Sequence, residues 1–195
     1  MTRWQPGASG RLQQAALELF SERGFENTTV AEIAERAGLT KRTFFRYFAD
    51  KREVLFAGSE LFVEGVVSSI AAQPETVAPL DAVAAGFKAF AATNFEERRA
   101  DALRRQRVIE ANPELGEREM IKRASLAEKI AATLRDRGEC DPAAALVAWA
   151  GISVFWVAFA RWTDPANRAS LADLVDQALD QLREATAQGA PVVTA

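Results

Sequence analysis

Residues 28–48 read TTVAEIAERAGLTKRTFFRYF, two short helical patterns that meet at a glycine. Thr29 and Glu32 have capping-box spacing, so a hydroxyl and a carboxylate each satisfy an amide that a helix start leaves open. Val30, Ile33, Ala34 and Ala37 fall on one helical face behind that cap. Gly38 stands where the pattern stops and suits a left-handed residue after a helix. Leu39 returns to the core and Thr40 caps a second helix beginning near Lys41. Phe44 and Phe48, four apart, face inward. Lys41, Arg42, Thr43, Phe45 and Arg46 then face outward, with Tyr47 near the edge. Two helices held this close by a short turn form a helix-turn-helix, whose second helix fits a DNA major groove. Cations, a hydroxyl and aromatic rings on that helix suit phosphates and base edges.

The flanks agree. Leu12, Ala15, Ala16, Leu19 and Phe20 form the apolar stripe of a preceding helix, closed by Gly24. Asp50 is placed to cap a following helix that runs over residues 51–72. Lys51 and Arg52 in its first turn oppose the helix dipole, a mismatch that a bound phosphate would offset.

Residues 11–56 resemble the DNA-binding domain of the TetR family of bacterial transcriptional regulators. The likeness is carried by Ala15, Ala16, Phe20, Gly24, Phe25, Thr28, Thr29, Val30, Ile33, Ala34, Ala37, Gly38, Leu39, Thr43, Phe48, Lys51 and Leu55. It implies an all-α dimer of about nine helices, with an N-terminal domain at 1–56 and a ligand-binding and dimerisation domain at 57–195. It also implies a repressor that leaves a palindromic double-stranded DNA operator when a small molecule enters the C-terminal domain. By position, Thr40, Lys41, Arg42 and Thr43 would approach base edges, and Phe45, Tyr47 and Lys51 would meet phosphates. Thr28 and Arg46 complete the expected DNA-facing set. Many relatives have tyrosine where Phe45 stands and histidine where Tyr47 stands, so the phosphate grip should differ here. Residues 112–138 resemble a subgroup associated with acyl-CoA-type ligands, which makes a fatty acyl or acyl-CoA effector the leading expectation.

Charge and residue usage narrow the alternatives. The 195 residues carry a net charge of −3. Residues 1–56 hold nine Lys/Arg against seven Asp/Glu, a net of +2; the remaining fifteen against twenty give −5. A mildly basic head on an acidic body has the polarity of a chain with one DNA-facing end. With no histidine, Ser–His and Cys–His catalysis and histidine metal sites are excluded. One cysteine, Cys140, allows neither an internal disulfide nor a multi-cysteine zinc site. No catalytic residue, metal or cofactor is expected, although paired carboxylates keep an all-helical enzyme open as an alternative. The first ten residues lack the apolar run of a signal peptide, which points to the cytoplasm.

Residues 142–160 carry no charge and as a helix would reach about 28 Å, close to a bilayer core. A membrane-anchored regulator is therefore the second alternative. The run is rich in alanine, and a helix apolar all round is equally a buried one, so a helix buried on both sides without a membrane is the favoured reading. Further helices are expected from Pro79, through about Ala111, over 114–137 and over 165–187. The final two helices of the chain, over 142–160 and 165–187, are the expected homodimer interface. The expected effector pocket is lined by Phe87, Phe90, Ile109, Met120, Ile130, Trp149, Ile152 and Trp156, with Asn94 and Ser153 as polar contacts. Arg98, Arg99, Arg104, Arg105 and Arg107 could receive an anionic group, but acids lie among them and a solvated face is the simpler reading.

Overall fold

The computed structural model describes residues 7–95 and 98–187. Glu96, Glu97 and the tail at 188–195 lie outside the described residues, as do the first six. Among the described residues the chain is all-helical, with no strand. The helices are α1 (Ala8–Arg23), α2 (Val30–Arg36), α3 (Lys41–Tyr47), α4 (Ser59–Ala71), α5 (Pro79–Asn94), α6 (Arg99–Glu110), α7 (Pro113–Asp136), α8 (Ala143–Thr163) and α9 (Leu171–Ala187).

The helices form two compact units. One joins the N-terminal residues through Glu60 with Ala100–Lys122; the other joins Leu61–Arg99 with the chain from Arg123 onward. The first unit thus extends beyond the expected domain at 1–56. Its core explains why: Val108, Ile109 and Leu115 are buried in the same cluster as Leu12, Leu19, Phe20, Ile33, Phe44 and Phe48. Polar contacts hold the same segment. Arg118 and Lys122 both reach Glu53, at 2.6 and 3.4 Å. Arg52 meets Glu114 at 2.7 Å, and Arg105 donates to the Leu55 carbonyl at 2.8 Å. Partners 50 to 69 residues apart leave no periodic trace in the sequence.

The helix expected over 51–72 is two pieces. Asp50 accepts from the amides of Arg52 and Glu53 at 2.8 and 3.1 Å, as its capping role requires, but the element it caps is a single 3-10 turn, Glu53–Phe56. Ala57 turns extended and Gly58 takes φ 86°, a left-handed conformation that only glycine adopts cheaply. The connecting helix therefore starts at Ser59 rather than Lys51. The last helix starts at Leu171, six residues later than expected. Residues 164–170 are held by local turns instead: Asp164 accepts from the Ala166 amide at 2.8 Å, and the Ser170 hydroxyl caps α9 through Asp173 at 3.1 Å.

In the second unit α8 packs on α5 and α9, and α5 on α9. Gly151 permits the close approach, because a Cβ there would lie 2.3 Å from Cγ1 of Val83. Its aromatic centre stacks Phe87 on Phe155 with ring centroids 4.5 Å apart. Phe62, Phe95 and Phe159 approach Phe155 at 5.6–6.2 Å, and Phe90 and Trp162 extend the cluster through Phe62 and Phe95 at 5.0 and 6.0 Å. Such edge and offset contacts add to simple area burial. Arg137 closes the far end of α4, donating to the carbonyls of Ile70, Gln73 and Pro74. By length and composition two stretches, Glu53–Ala71 and Ala143–Thr163, could cross a membrane. Ala57 and Gly58 interrupt the first. The second buries Ala148, Ile152, Phe155 and Trp162 on one face and exposes Leu146 (67 %) and Val157 (52 %) on the other.

Candidate nucleic-acid interface

Helix α3 is seven residues long, too short to persist alone, so its neighbours must hold it. The capping box at the start of α2 is complete. The Thr29 amide donates to Glu32 at 2.8 Å and the Glu32 amide to the Thr29 hydroxyl at 3.3 Å. The bonds that Glu32 accepts, the Thr29 amide first and its hydroxyl second, hold the Glu32 carboxyl below its usual pKa. At the turn Gly38 adopts φ 66°. Its amide bonds Glu35, and the Leu39 amide reaches back to Ala34, at 2.9 and 2.8 Å, closing a Schellman motif. Thr40 caps α3 by accepting from the Thr43 amide at 3.1 Å. Phe44, fully buried, and Phe48 pin the inner face with rings 5.3 Å apart. Burying one such side chain contributes about 1.5–3 kcal/mol.

The outer face of α3 is then set by helical spacing. Arg42 and Arg46 stand opposite the buried Phe44 and are exposed. Lys41 and Phe45 form one flank, with the Lys41 ammonium 5.9 Å from the Phe45 ring centre. Thr43 and Tyr47 form the other. The Arg46 guanidinium lies over the Tyr47 ring at 4.9 Å and donates to its hydroxyl at 3.2 Å. Two cations of α1 and α2 are engaged elsewhere: Arg36 bonds Glu22 and Glu18, and Arg23 bonds Glu32. The positive charge that this surface turns outward therefore sits on α3.

Two members of the expected DNA-facing set stand apart from that face. Thr28 is 1 % exposed. Its hydroxyl donates to the Gly24 carbonyl at 2.9 Å, so it braces the turn between α1 and α2 instead of facing outward. Lys51 donates to the Phe25 carbonyl at 2.7 Å and covers the Phe25 ring at 4.0 Å, so in this conformation it ties the same turn down. Beside it, Arg52 bonds to Asp50 at 2.7 Å. That bond, assisted by the Glu53 and Arg52 amides and opposed by burial, lowers the Asp50 pKa.

The residues expected around an effector are more scattered. Phe87, Phe90, Ile130, Ile152 and Trp156 all belong to the second unit, where Phe87, Ile130 and Ile152 are buried. Ile109 is buried in the core of the first unit instead. Met120, also in the first unit, is 56 % exposed. Trp149 and Ser153 lie on the exposed face of α8, and the Ser153 hydroxyl donates back to the Trp149 carbonyl at 2.9 Å. Asn94 is exposed and donates to Phe90 and Thr93. Phe95, which follows α5 and breaks its period, joins the aromatic centre without having been signalled by the sequence pattern. The arginine cluster is divided between the units. Arg99 holds the carbonyls of Asp164 and Asn167, and Arg104 pairs with Asp101. A cleft of about 210 Å³ in the first unit is walled by Asp50, Arg52, Glu114, Glu117, Arg118 and Ile121, a charged lining unlike the apolar one expected.

A model of the tetR family of bacterial regulatory proteins matches residues 12–57, the whole of this helix-turn-helix. A model of the MftR C-terminal domain matches residues 77–187, more than half of the chain. The chain belongs to the TetR family. It is a DNA-binding transcriptional regulator and not an enzyme. It is similar to MftR of Mycobacterium tuberculosis, named for regulation of mycofactocin biosynthesis, at 29 % identity over 175 residues. That match covers 87 % of this chain and 86 % of MftR. TcmR of Streptomyces glaucescens is 39 % identical over 79 residues, 40 % of this chain, and the chain spans about a third (35 %) of TcmR. Among solved TetR-family structures, Thermus thermophilus FadR in complex with lauroyl-CoA has 26 % identity and a TM-score of 0.55. It covers 96 % of this chain and 99 % of its own. A regulator from Syntrophomonas wolfei shares the fold with a TM-score of 0.66 at 18 % identity, covering 96 % of this chain and 98 % of its own.

Proposed function

We propose that this TetR-family regulator is a homodimeric, cytoplasmic repressor that leaves a palindromic operator when an apolar, acyl-type effector binds its second unit. The observation that carries the DNA half of this reading is the outer face of α3, where Lys41, Arg42, Phe45, Arg46 and Tyr47 are exposed while Phe44 and Phe48 fix the helix. Thr40 and Thr43 stand at its entrance. In a two-fold dimer the two α3 helices enter successive major grooves, which doubles the phosphate contacts.

The dimer reading rests on α8, whose exposed face carries Leu146, Trp149 and Val157. Exposed positions of α9 such as Asp176 and Asp180 are charged, so α8 supplies the apolar contact and α9 the polar border. That arrangement supports reading α8 as a core and interface helix rather than a membrane span.

The effector reading is supported by the aromatic centre around Phe87 and Phe155, and by the likeness to FadR of Thermus thermophilus, which was solved with lauroyl-CoA. Phe90, Ile130, Ile152 and Trp156 belong to the same unit. An effector that binds one arrangement of those rings better than another shifts the dimer only by that difference in affinity. The test is to titrate acyl-CoAs of increasing chain length into the complex with a labelled upstream intergenic duplex, read by anisotropy. Release by a medium or long acyl-CoA, and not by free CoA, is the expected result. Intact DNA binding that no acyl compound of any length disturbs would remove the effector reading.

A further inference from the structure

We infer that Phe45 is a specificity-determining residue, reading the C5-methyl group of one thymine in each operator half-site. The inference rests on the proposed placement of α3 in the major groove and assigns one base within it. Phe45 is 50 % exposed. Its ring packs edge-on against the fully buried Phe44 at 5.6 Å, and Phe44 is fixed in turn by Phe48 at 5.3 Å. The ring is therefore presented to solvent from a rigid base. On its own flank Lys41 stands over it at 5.9 Å, and Arg42 and Arg46 occupy the middle of the outer face.

Those neighbours are suited to phosphates and to the acceptor edges of guanine. Phe45 is not, because a phenyl ring can neither donate to phosphate nor bond a base edge. In the major groove the apolar feature that a base pair offers is the thymine methyl. A half-exposed hydrocarbon ring among cations gains most where it meets that methyl and expels water from both. The alternative resting place for the ring is the sugar–phosphate backbone, which is the same for every base and would give no methyl dependence.

The test uses the full chain and duplexes selected with it from a randomised pool. Each thymine of the half-site is replaced in turn by deoxyuridine, symmetrically, and affinity is read by anisotropy. One position is expected at which losing the methyl weakens the wild-type protein about fourfold per half-site, the effect of burying one methyl-sized group. The same replacement should leave Phe45→Ala unaffected, while Phe45→Tyr, which keeps the ring, should remain sensitive. Phe45→Ala empties no core site, and circular dichroism checks that it folds. Deoxyuridine tolerated at every position, or a methyl effect undiminished in Phe45→Ala, would overturn the inference and leave DNA binding intact. A pool from which no duplex is enriched would overturn both the inference and the operator reading beneath it.

Discussion

At the scale of the residue, local chemistry was written openly in the chain. Thr29 with Glu32, Gly38 and Thr40 do what their spacing dictated, because a cap needs only the amides next to it. Thr40→Ala should therefore destabilise the protein by about 1 kcal/mol in urea denaturation followed by circular dichroism, and weaken DNA binding more than it lowers stability, since it frays α3. Thr28 was legible only as part of a motif. Whether its hydroxyl faces out or bonds Gly24 depends on the path of the α1–α2 turn, which no spacing records. The carboxylates carry a pH dependence. Asp50 and Glu32 have pKa values lowered from their ordinary 3.8 and 4.5. Their contribution is therefore fully present above the unfolded-state values and is lost as pH falls through the folded ones. Stability should fall as pH drops below about 4.5, and Asp50→Asn should show a shallower fall than the wild type in urea midpoints measured across that range.

At the scale of the element, helices bounded by a strong stop were readable and helices bounded by a conformational break were not. Pro79 opens α5 and Gly138, at φ 98°, follows α7 as expected. The break at 57–58 was hidden because Leu55, Phe62, Val66 and Ile70 keep helical spacing straight through it. A glycine within an apolar run reads as a tolerated residue until its φ is known. Gly151 is a related case, since a small residue in an alanine-rich helix signals nothing by itself. With a Cβ only 2.3 Å from Val83 Cγ1, Gly151→Ala must push α5 from α8 or force Val83 off its rotamer. An overpacking cost of about 1–3 kcal/mol is expected, visible as a lower thermal midpoint, and Val83→Ala in the same chain should recover part of it. Recovery by the second substitution separates the steric contact from a general loss of the helix.

At the scale of the molecule, the all-helical class was legible through the family resemblance of residues 11–56, whereas the grouping of helices into units was not. Ile109 and Leu115 look like any apolar residues of a C-terminal helix, and only folding brings them to Leu12 and Phe20. The pairing of Glu53 with Arg118 and Lys122 spans too much chain to be seen in advance. For the same reason the bulky apolar residues pointed to a single pocket and instead divide between two cores and an exposed face. Common to every scale is α3, fixed by its caps and its two inward phenylalanines, with its charge turned out. The direct test is a salt titration of binding to the upstream intergenic duplex and to a scrambled one, for the wild type and Arg42→Ala. The expected result is log affinity falling linearly with log salt concentration, by about 0.9 for each phosphate neutralised. A preference for the intergenic duplex should persist in the wild type and drop by about 1–3 kcal/mol in Arg42→Ala. Equal affinity for both duplexes, unchanged by the substitution, would contradict the assignment of α3 as the helix that reads DNA.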